Sequence, residues 1–263
     1  MTLAFGFTPC PNDAFAFHAF VHGLVPAPFE VEPVLLDIEE LNRRAAGAEL
    51  ELTKLSFGAA AAAGDRYRLL RSGAALGRGV GPLVVAREAG SLEEAATGRI
   101  AIPGRETTAF LLLRLAVPAL GEAVELRYDR ILDAVVSGEV DAGLIIHESR
   151  FTYGEHGLVS VADLGEWWEE ETGLPVPLAG IFAWSDLEPG VVDEAAAAVR
   201  ASVEYAFANP EASRDYVRSL SKEMSDEVCA AHIALYVNEH SVDIGDEGLA
   251  AVDRLLGRAA AAA

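Results

Sequence analysis

Four short turns carry the polar residues whose types and spacing could do chemistry. They centre on Asn12, Ser56, Thr107 and His147. Each turn lies between a run of residues typical of a buried strand and a run typical of a helix. In open α/β sheets, ligands bind beyond the carboxyl ends of the strands. The four turns are therefore expected to meet at one ligand site.

The strongest single candidate is His147, which follows the apolar run 142–146 and precedes Glu148. Histidine titrates near neutral pH and is the side chain used most often as a general base. At the end of a buried strand it is expected to face a cleft, so His147 is the candidate base. A structural histidine that hydrogen bonds a loop is the alternative, and position alone favours neither reading.

The turn 103–108 has the composition of an anion site. Gly104 permits a tight turn, Arg105 adds positive charge, and Thr107 and Thr108 bring two hydroxyls to the start of a helix. The first N–H groups of a helix attract anions, so this turn is expected to hold a carboxylate. It lacks the Gly-Lys-Ser/Thr ending of a P-loop, which disfavours nucleotide phosphate.

The other two turns give weaker signals. Ser56 follows Lys54 and Leu55 and precedes an alanine-rich helix. Its hydroxyl could hold a carboxylate, but a plain helix N-cap explains it equally well. Asn12 lies in a turn stiffened by two prolines, where Asn12 or Asp13 is expected to cap the next helix. A plain cap is the alternative, but the unusual double proline around a cysteine favours a functional role, with Asn12 as a substrate-binding candidate.

Metal and thiol chemistry receive little support. His18 and His22 are four residues apart on a predicted helix, but no third ligand follows at a fitting spacing, so no metal site is predicted. Cys10 is expected to be a small packed thiol, because the sequence shows no partner base. The only other cysteine, Cys229, is far away in the sequence, and a disulfide framework is not expected.

Composition narrows the partners and the compartment. The formal net charge of −21 argues against nucleic acid and anionic membrane surfaces as partners. No apolar run approaches the roughly 18 residues of a membrane span. The N-terminal residues lack the basic and apolar regions of a secretory signal, so a cytoplasmic location is expected. An anionic ligand would need local positive potential from helix starts and a few Lys or Arg residues.

Short apolar runs alternate with helical patterns along the chain, which predicts an α/β fold. Two series of such units predict two lobes, with residues 1–86 and 178–263 in lobe I and 87–177 in lobe II. Crossing strands at 82–86 and 178–184 would join the lobes, and the ligand cleft would lie between them. Strands are predicted at 3–7, 29–36, 50–55, 69–73, 82–86, 99–102, 124–128, 142–146 and 178–184. Helices are predicted at 12–23, 37–46, 57–63, 91–96, 107–115, 129–137 and from 189 onward.

Five motifs in this order resemble the 1,4-dihydroxy-6-naphthoate synthase family. They are FTPCPND at 7–13, TKLS at 53–56, LGRGVGPLV at 76–84, PGRETTA at 103–109 and LIIHESRFTY at 144–153. The likeness continues through DLGEWW at 163–168 and covers essentially the whole chain. Two departures are visible at the first motif, where Thr8 and Ala14 replace a serine and a threonine usual in the family.

The resemblance implies a fold like that of type II periplasmic binding proteins, with two mixed sheets flanked by helices. It implies a cofactor-free carbon–carbon lyase of the futalosine route to menaquinone. The expected reaction converts cyclic dehypoxanthinyl futalosine to 1,4-dihydroxy-6-naphthoate and dihydroxyacetone. His147 would be the proton acceptor. The turn Lys54-Leu55-Ser56 and the pair Thr107-Thr108 would bind the substrate, a small aromatic carboxylate.

Three alternative functions stay open at this point. One is a chorismate dehydratase of the same pathway, another is a non-catalytic protein that binds small carboxylates, and the third is a small-molecule sensor. The dehydratase reading would leave the Pro-Cys-Pro-Asn-Asp turn and the Ile-His-Glu-Ser segment unexplained. The binding-protein reading predicts a signal peptide or lipid anchor, and a sensor would bind a ligand without turning it over.

Overall fold

The computed structural model describes residues 1–221 and 224–262 of the chain. Within these residues, eleven strands form two sheets. The strands are β1 (Thr2–Phe7), β2 (Glu30–Leu35), β3 (Leu52–Ser56), β4 (Tyr67–Leu69), β5 (Ala75–Gly77), β6 (Leu83–Ala86), β7 (Arg99–Ile102), β8 (Glu122–Glu125), β9 (Ala142–Ile145), β10 (Val159–Asp163) and β11 (Val176–Trp184).

The described helices flank these sheets. They are α1 (Pro11–Val21), α2 (Ile38–Ala45), α3 (Phe57–Ala63), α4 (Leu92–Thr97), α5 (Thr108–Ala116), α6 (Ile131–Ser137), α7 (Ser149–Thr152), α8 (Leu164–Thr172), α9 (Pro189–Ala208), α10 (Arg214–Leu220), α11 (Asp226–Tyr236), α12 (Glu239–Val242) and α13 (Gly245–Ala262). In this part of the chain, no helix is both long and apolar enough to cross a membrane.

Both sheets are mixed. In the first, the order is β2-β1-β3-β11-β4, with β5 also paired to β11; β1 runs parallel to β2 and β3, and β11 runs antiparallel to its neighbours. In the second, the order is β10-β6-β9-β7-β8, with β7 parallel to β8 and β9. We call the first sheet with its helices lobe I and the second sheet with its helices lobe II.

The strand β6 lies in a different lobe from the one expected. The sequence predicts that residues up to 86 belong to lobe I, but β6 pairs with β9 and β10 of lobe II. Likewise β11 pairs within lobe I along its whole length. The chain therefore passes between the sheets through the glycine-rich segment 78–82 and the short segment 173–175. Neither crossing segment is a strand.

Most predicted elements near the cavity form as expected, since their apolar spacing is regular. The segment around Trp167 and Trp168, which received no assignment, forms α8. Asp163 caps this helix by accepting from the N–H groups of Gly165 and Glu166 at 2.8 and 3.2 Å. The Trp168 side chain is fully buried and donates to the Pro175 carbonyl at 3.0 Å, so it serves packing.

The core of lobe I explains how the first turn is held. Four phenylalanines, two from β1 and two from α1, pack with ring centroids 4.9–5.6 Å apart: Phe5, Phe7, Phe17 and Phe20. Such aromatic contacts add to the stability gained by burying apolar surface. They fix the start of α1 against the carboxyl end of β1, where the chain turns into the cavity.

Candidate active site

A cavity of about 610 Å³ lies between the two lobes. This volume includes the open solvent at the mouth of the cavity. Its polar lining comes from both lobes and consists of Thr8, Asn12, Lys54, Ser56, Thr107, Thr108, His147, His232 and Tyr236. Apolar side chains such as Ile38, Val80 and Leu178 complete the wall. The cavity can therefore surround a largely apolar ligand and still offer a few polar contacts.

His147 is held in an unusual backbone conformation directly after β9. Its φ is +56°, in the left-handed region that non-glycine residues seldom adopt. The turn directs the half-buried ring into the cavity wall, with Nδ1 3.4 Å from the Cys10 sulfur. The other ring nitrogen, Nε2, is buried and finds no hydrogen-bond partner among the described residues. One nitrogen is thus anchored and the other is free for a ligand.

The environment of His147 keeps its ring neutral. Burial and, to a smaller extent, the positive charge of Lys54 lower the pKa of His147 to about 4, against the opposing negative charge of Asp13. Desolvation and a nearby like charge both disfavour the imidazolium form. A neutral imidazole with a free nitrogen can accept a proton at neutral pH.

Cys10 is the contact of His147 from the other lobe. It stands at the start of α1, and burial together with the charge of Asp13 raises the pKa of its thiol. The thiol is therefore uncharged, as expected for a packed cysteine rather than a nucleophile. The sequence shows no partner base for it because the histidine lies 137 residues further along the chain.

Lys54 forms a buried ion pair with Asp13 beneath the cavity. The Nζ–Oδ1 distance is 2.5 Å, and both side chains are almost fully buried. Asp13 also accepts hydrogen bonds from the Thr8 N–H at 3.1 Å, the Thr8 hydroxyl at 2.6 Å and the Asn12 amide at 2.8 Å. Buried charges persist when they are paired and hydrogen-bonded in this way. The network holds Asn12 and Lys54 in place at the cavity wall.

The expectation that Asn12 or Asp13 caps α1 is wrong. The helix begins at Pro11, the residue at the N-cap position is Cys10, and its side chain makes no capping hydrogen bond. Proline suits the first helical position, since its missing N–H needs no partner there. The Asn12 and Asp13 side chains are free to pair with each other instead, and Asn12 lines the cavity.

Leu55 and Ser56 differ in what they face. Side chains alternate along β3, so Lys54 and Ser56 point to the cavity while Leu55 points into the apolar core. Ser56 is fixed by Asn42: the Ser56 N–H donates to Asn42 Oδ1 at 2.9 Å, and Asn42 Nδ2 donates to the Ser56 hydroxyl at 3.1 Å. The Ser56 side chain makes no capping bond to α3, so the plain N-cap reading does not apply.

Thr107 and Thr108 lie at the start of α5, and their hydroxyls make different hydrogen bonds. The Thr107 hydroxyl caps the helix, accepting from the Phe110 N–H at 3.2 Å and donating to the Gly104 carbonyl at 2.8 Å. The Thr108 hydroxyl accepts from the Gly58 N–H at 3.0 Å and donates to the Leu178 carbonyl at 2.6 Å. It thereby ties lobe II to α3 and β11 of lobe I.

The backbone at the start of α5 still has free donors. The N–H groups of Thr108 and Ala109 make no hydrogen bond within the described part of the chain, and both residues line the cavity. Free N–H groups at a helix start carry partial positive charge. They offer a cavity-facing position for one carboxylate.

Arg105 lies outside the cavity lining. Its side chain is 57% exposed, donates to the Ala123 carbonyl at 3.2 Å and lies 3.7 Å from Glu125. Among the described residues that line the cavity, Lys54 is therefore the only lysine or arginine.

The lobes also touch beside the cavity, at Glu39 of α2. Its carboxylate accepts from the Glu106 N–H at 3.2 Å, and burial raises the pKa of Glu39. Gly104 makes this approach possible, because a Cβ there would lie 2.3 Å from the Glu39 side chain. Arg43 and Glu125 form an ion pair across the same junction.

His232 and Tyr236 are cavity residues that the sequence analysis missed. Both belong to α11, four residues apart and hence on one face of that helix. The His232 ring lies nearly parallel to that of His147, with centroids 6.4 Å apart and planes 19° apart. The i, i+4 spacing of His232 and Tyr236 is the one signal in the sequence, and it does not indicate which face of α11 meets the cavity.

Comparison with known structures supports the fold. The periplasmic aliphatic sulphonate binding protein SsuA from Escherichia coli superposes with a TM-score of 0.66 at 12% identity, covering 98% of this chain and 87% of that one. Protein AF1704 from Archaeoglobus fulgidus superposes with a TM-score of 0.94 at 42% identity, covering 99% and 97%. The fold is therefore that of periplasmic binding proteins, as the sequence resemblance predicted.

The sequence comparisons are more specific. A family model described as menaquinone biosynthesis matches residues 3–261. A 1,4-dihydroxy-6-naphthoate synthase from Thermus thermophilus is 57% identical, with 98% of this chain and 94% of the relative covered. A second one, from Streptomyces coelicolor, is 46% identical, with 99% and 93% covered. This chain belongs to the 1,4-dihydroxy-6-naphthoate synthase family of menaquinone biosynthesis enzymes.

Proposed function

We propose that this chain cleaves a carbon–carbon bond of cyclic dehypoxanthinyl futalosine, releasing 1,4-dihydroxy-6-naphthoate and dihydroxyacetone without a cofactor. The observation that carries the proposal is the geometry at His147. Its Nε2 atom is buried at the cavity without a partner among the described residues, while Nδ1 is anchored on Cys10. The names of the two relatives support the product.

The substrate carboxylate binds at the start of α5 in this proposal. Thr108 and Ala109, whose N–H groups are free within the described part of the chain, line the cavity there, and Lys54 supplies positive charge in the wall of lobe I. A helix start and one cation can hold an anion even in a protein with a net charge of −21, because the local field outweighs distant surface charges screened by salt. The hydroxyl of Ser56 adds a further polar contact from lobe I.

His147 then acts as the general base. Its neutral Nε2 removes a proton from a hydroxyl of the saturated, sugar-derived part of the substrate. A retro-aldol-like cleavage follows, and formation of the naphthalene ring supplies the driving force. A positioned base contributes typically ~10²–10⁴-fold to the rate. Contacts between the lobes at Thr108 and Glu39 keep the reacting groups together and exclude water.

The test is a turnover assay with matched histidine variants. Wild type is mixed with cyclic dehypoxanthinyl futalosine, and naphthoate release is followed by absorbance and fluorescence. We expect His147→Ala to lower kcat by ~10²–10⁴-fold and to bind naphthoate within a few-fold of wild type. His156→Ala, which removes an exposed histidine outside the cavity lining, serves as the control and should keep full activity.

Three results would contradict the proposal. Full activity of His147→Ala would remove the base from the mechanism. Turnover of chorismate in place of cyclic dehypoxanthinyl futalosine would assign the chain to the dehydratase reaction. Binding of the futalosine compound without any product would favour a non-catalytic role.

We also infer a cytoplasmic location for the reaction. Both cysteines of the described chain, Cys10 and Cys229, are free buried thiols, which are typical of a reducing compartment. Cell fractionation followed by the naphthoate assay tests this, and activity confined to an extracellular or periplasmic fraction would contradict it.

A further inference from the structure

His232 is a buried polar group that the reaction described above does not use. The residue is 1% exposed and lines the cavity, and neither ring nitrogen finds a hydrogen-bond partner among the described residues. A buried polar atom left unpaired has lost its hydrogen bonds to water without gaining others, which destabilises the folded protein. Such groups are rare in native proteins, and one at a ligand cavity points to a partner supplied by the ligand.

The surroundings of His232 set the direction of that contact. Its ring packs against Tyr236 at 4.7 Å and Phe151 at 6.2 Å between centroids. Its remaining aromatic neighbour is His147, at 6.4 Å and nearly parallel. His232 comes from lobe I and His147 from lobe II, so a substrate held between the lobes can meet both rings at once.

We propose that His232 is a second catalytic residue, whose imidazole N–H donates a hydrogen bond to the oxygen of the leaving fragment that gains negative charge as the carbon–carbon bond breaks. The inference rests on the proposed function and deepens it. In one cleavage, His147 of lobe II would act as the base and His232 of lobe I as the hydrogen-bond donor to the leaving fragment.

The step balances with these two residues alone. The step starts from the ring-opened keto form of the sugar-derived part, in which a carbonyl is bonded to the carbon that departs. His147 Nε2 takes the hydroxyl proton, the O–H electron pair forms a new carbonyl, and the carbon–carbon bond between the hydroxyl-bearing carbon and the departing carbon breaks. The electron pair of that bond becomes the enolate of the three-carbon fragment, whose oxygen accepts the hydrogen bond from His232. The His147 imidazolium then returns its proton to the fragment carbon. Both rings end neutral, and no oxidant or reductant takes part.

Electrostatics separates the two roles. Burial and, to a smaller extent, the neighbouring His147 and Lys54 lower the pKa of His232 well below its ordinary value. Once His147 holds the substrate proton, its positive charge disfavours a second charge on the adjacent ring. A neutral imidazole can still polarise an oxygen through its N–H, as in enzymes that handle enediolates.

Three substitutions of one residue test the proposal. His232→Phe keeps a planar ring but removes the donor, His232→Gln places an amide N–H near the position of Nε2, and His232→Asn places one near Nδ1. For each we measure kcat, the naphthoate dissociation constant by fluorescence, and the melting temperature. His156→Gln is the control for loss of a histidine outside the cavity lining.

We expect His232→Phe to lower kcat by about 10²–10³-fold, the usual effect of removing one oxyanion donor, with naphthoate binding within about threefold of wild type. One of the two amide variants should recover at least about tenfold in kcat over the other. That variant identifies the ring nitrogen that donates.

The outcomes separate this inference from the proposed function. A His232→Phe enzyme within threefold of wild-type kcat overturns the inference, while a slow His147→Ala enzyme leaves the proposed function standing. If His232→Phe does not fold, equal kcat values for the Gln and Asn variants overturn it, since a purely structural histidine has no preference between the donors. If wild type releases no naphthoate, the proposed function and this inference both fall.

Discussion

The two lobes bring polar groups of different kinds to the cavity. In lobe I, Lys54 and Asp13 are buried, paired with each other and tied to further hydrogen-bond partners. In lobe II, the His147 Nε2 atom and the N–H groups of Thr108 and Ala109 have no partner within the described chain. The polar groups of lobe I named here therefore have their partners before a ligand binds, and those of lobe II do not.

This difference separates stability from reactivity. The network of lobe I loses its hydration when the protein folds, so it presents a fixed charge pattern at no further cost when substrate binds. The free donors and the free base of lobe II gain their partners from the substrate. His232 is the exception, since it belongs to lobe I and is nevertheless unpaired, which is why we assign it to the reaction and not to the fold.

The largest effect is expected at the ion pair of lobe I. Lys54→Met leaves the Asp13 carboxylate buried without its partner, so we expect the free energy of unfolding to fall by about 3–5 kcal/mol. Urea denaturation followed by fluorescence measures it. The double variant Lys54→Met/Asp13→Asn removes both charges and should recover most of the loss. A loss below about 1 kcal/mol in the single variant would show that the network is not a stability element.

The acid limb of the pH profile tests how lobe I acts on His147. Only the neutral ring accepts a proton, and its pKa is lowered to about 4, so kcat/KM should fall on acidification with a midpoint near pH 4. An unperturbed histidine would give a midpoint near 6.5. The neighbouring Cys10 and Tyr128 have raised pKa values and stay neutral across this range.

The same measurement has an internal control. Lys54→Met removes one cause of the low pKa, so its acid limb should move toward neutral pH, provided circular dichroism shows that the variant is folded in each buffer. A wild-type midpoint near pH 6.5 would contradict an electrostatic link between the lobes. So would an acid limb whose midpoint is the same in Lys54→Met as in wild type.

A smaller effect is expected at the hydroxyl that joins the lobes. Thr108→Val removes the acceptor of the Gly58 N–H and the donor to the Leu178 carbonyl. Leaving a buried donor unpaired costs about 1–3 kcal/mol, so we expect kcat/KM to fall by about tenfold as the closed arrangement loses support. Thr97→Val, which loses only an exposed bond within α4, is the matched control. Equal kinetics for the two variants would contradict a closing role for Thr108.

Much of the fold could be predicted because its signals are local. Helix α3 and strand β7 begin and end at the predicted residues, since alternating or continuous apolar runs and flanking turn residues define them. The lobe of β6 could not be predicted. An apolar run of that length fits either sheet, and only long-range pairing with β9 and β10 decides between them.

The site divides in the same way. Residues at strand ends, such as Ser56 and His147, could be predicted to line a cleft because the topology brings strand ends together. His232 could not, since it lies on a helix near the other end of the chain among apolar residues, and its i, i+4 spacing with Tyr236 does not indicate which face of the helix meets the cavity. Arg105 was expected at the cavity because it stands in an anion-binding turn, but its side chain leaves that turn toward Ala123 and Glu125.

The smallest effect is expected at Arg105, because this residue of lobe II lies outside the cavity lining. The side chain is 57% exposed and its ion pair with Glu125 lies at the surface, where such pairs contribute roughly 0–1 kcal/mol. We therefore expect Arg105→Ala to leave KM and kcat within about twofold, measured in the naphthoate assay beside Arg114→Ala on α5. A tenfold rise in KM for Arg105→Ala alone would mean that its charge acts on the bound carboxylate. Lobe II would then contribute a charged holder of its own, and the contrast with Lys54 of lobe I would have to be withdrawn.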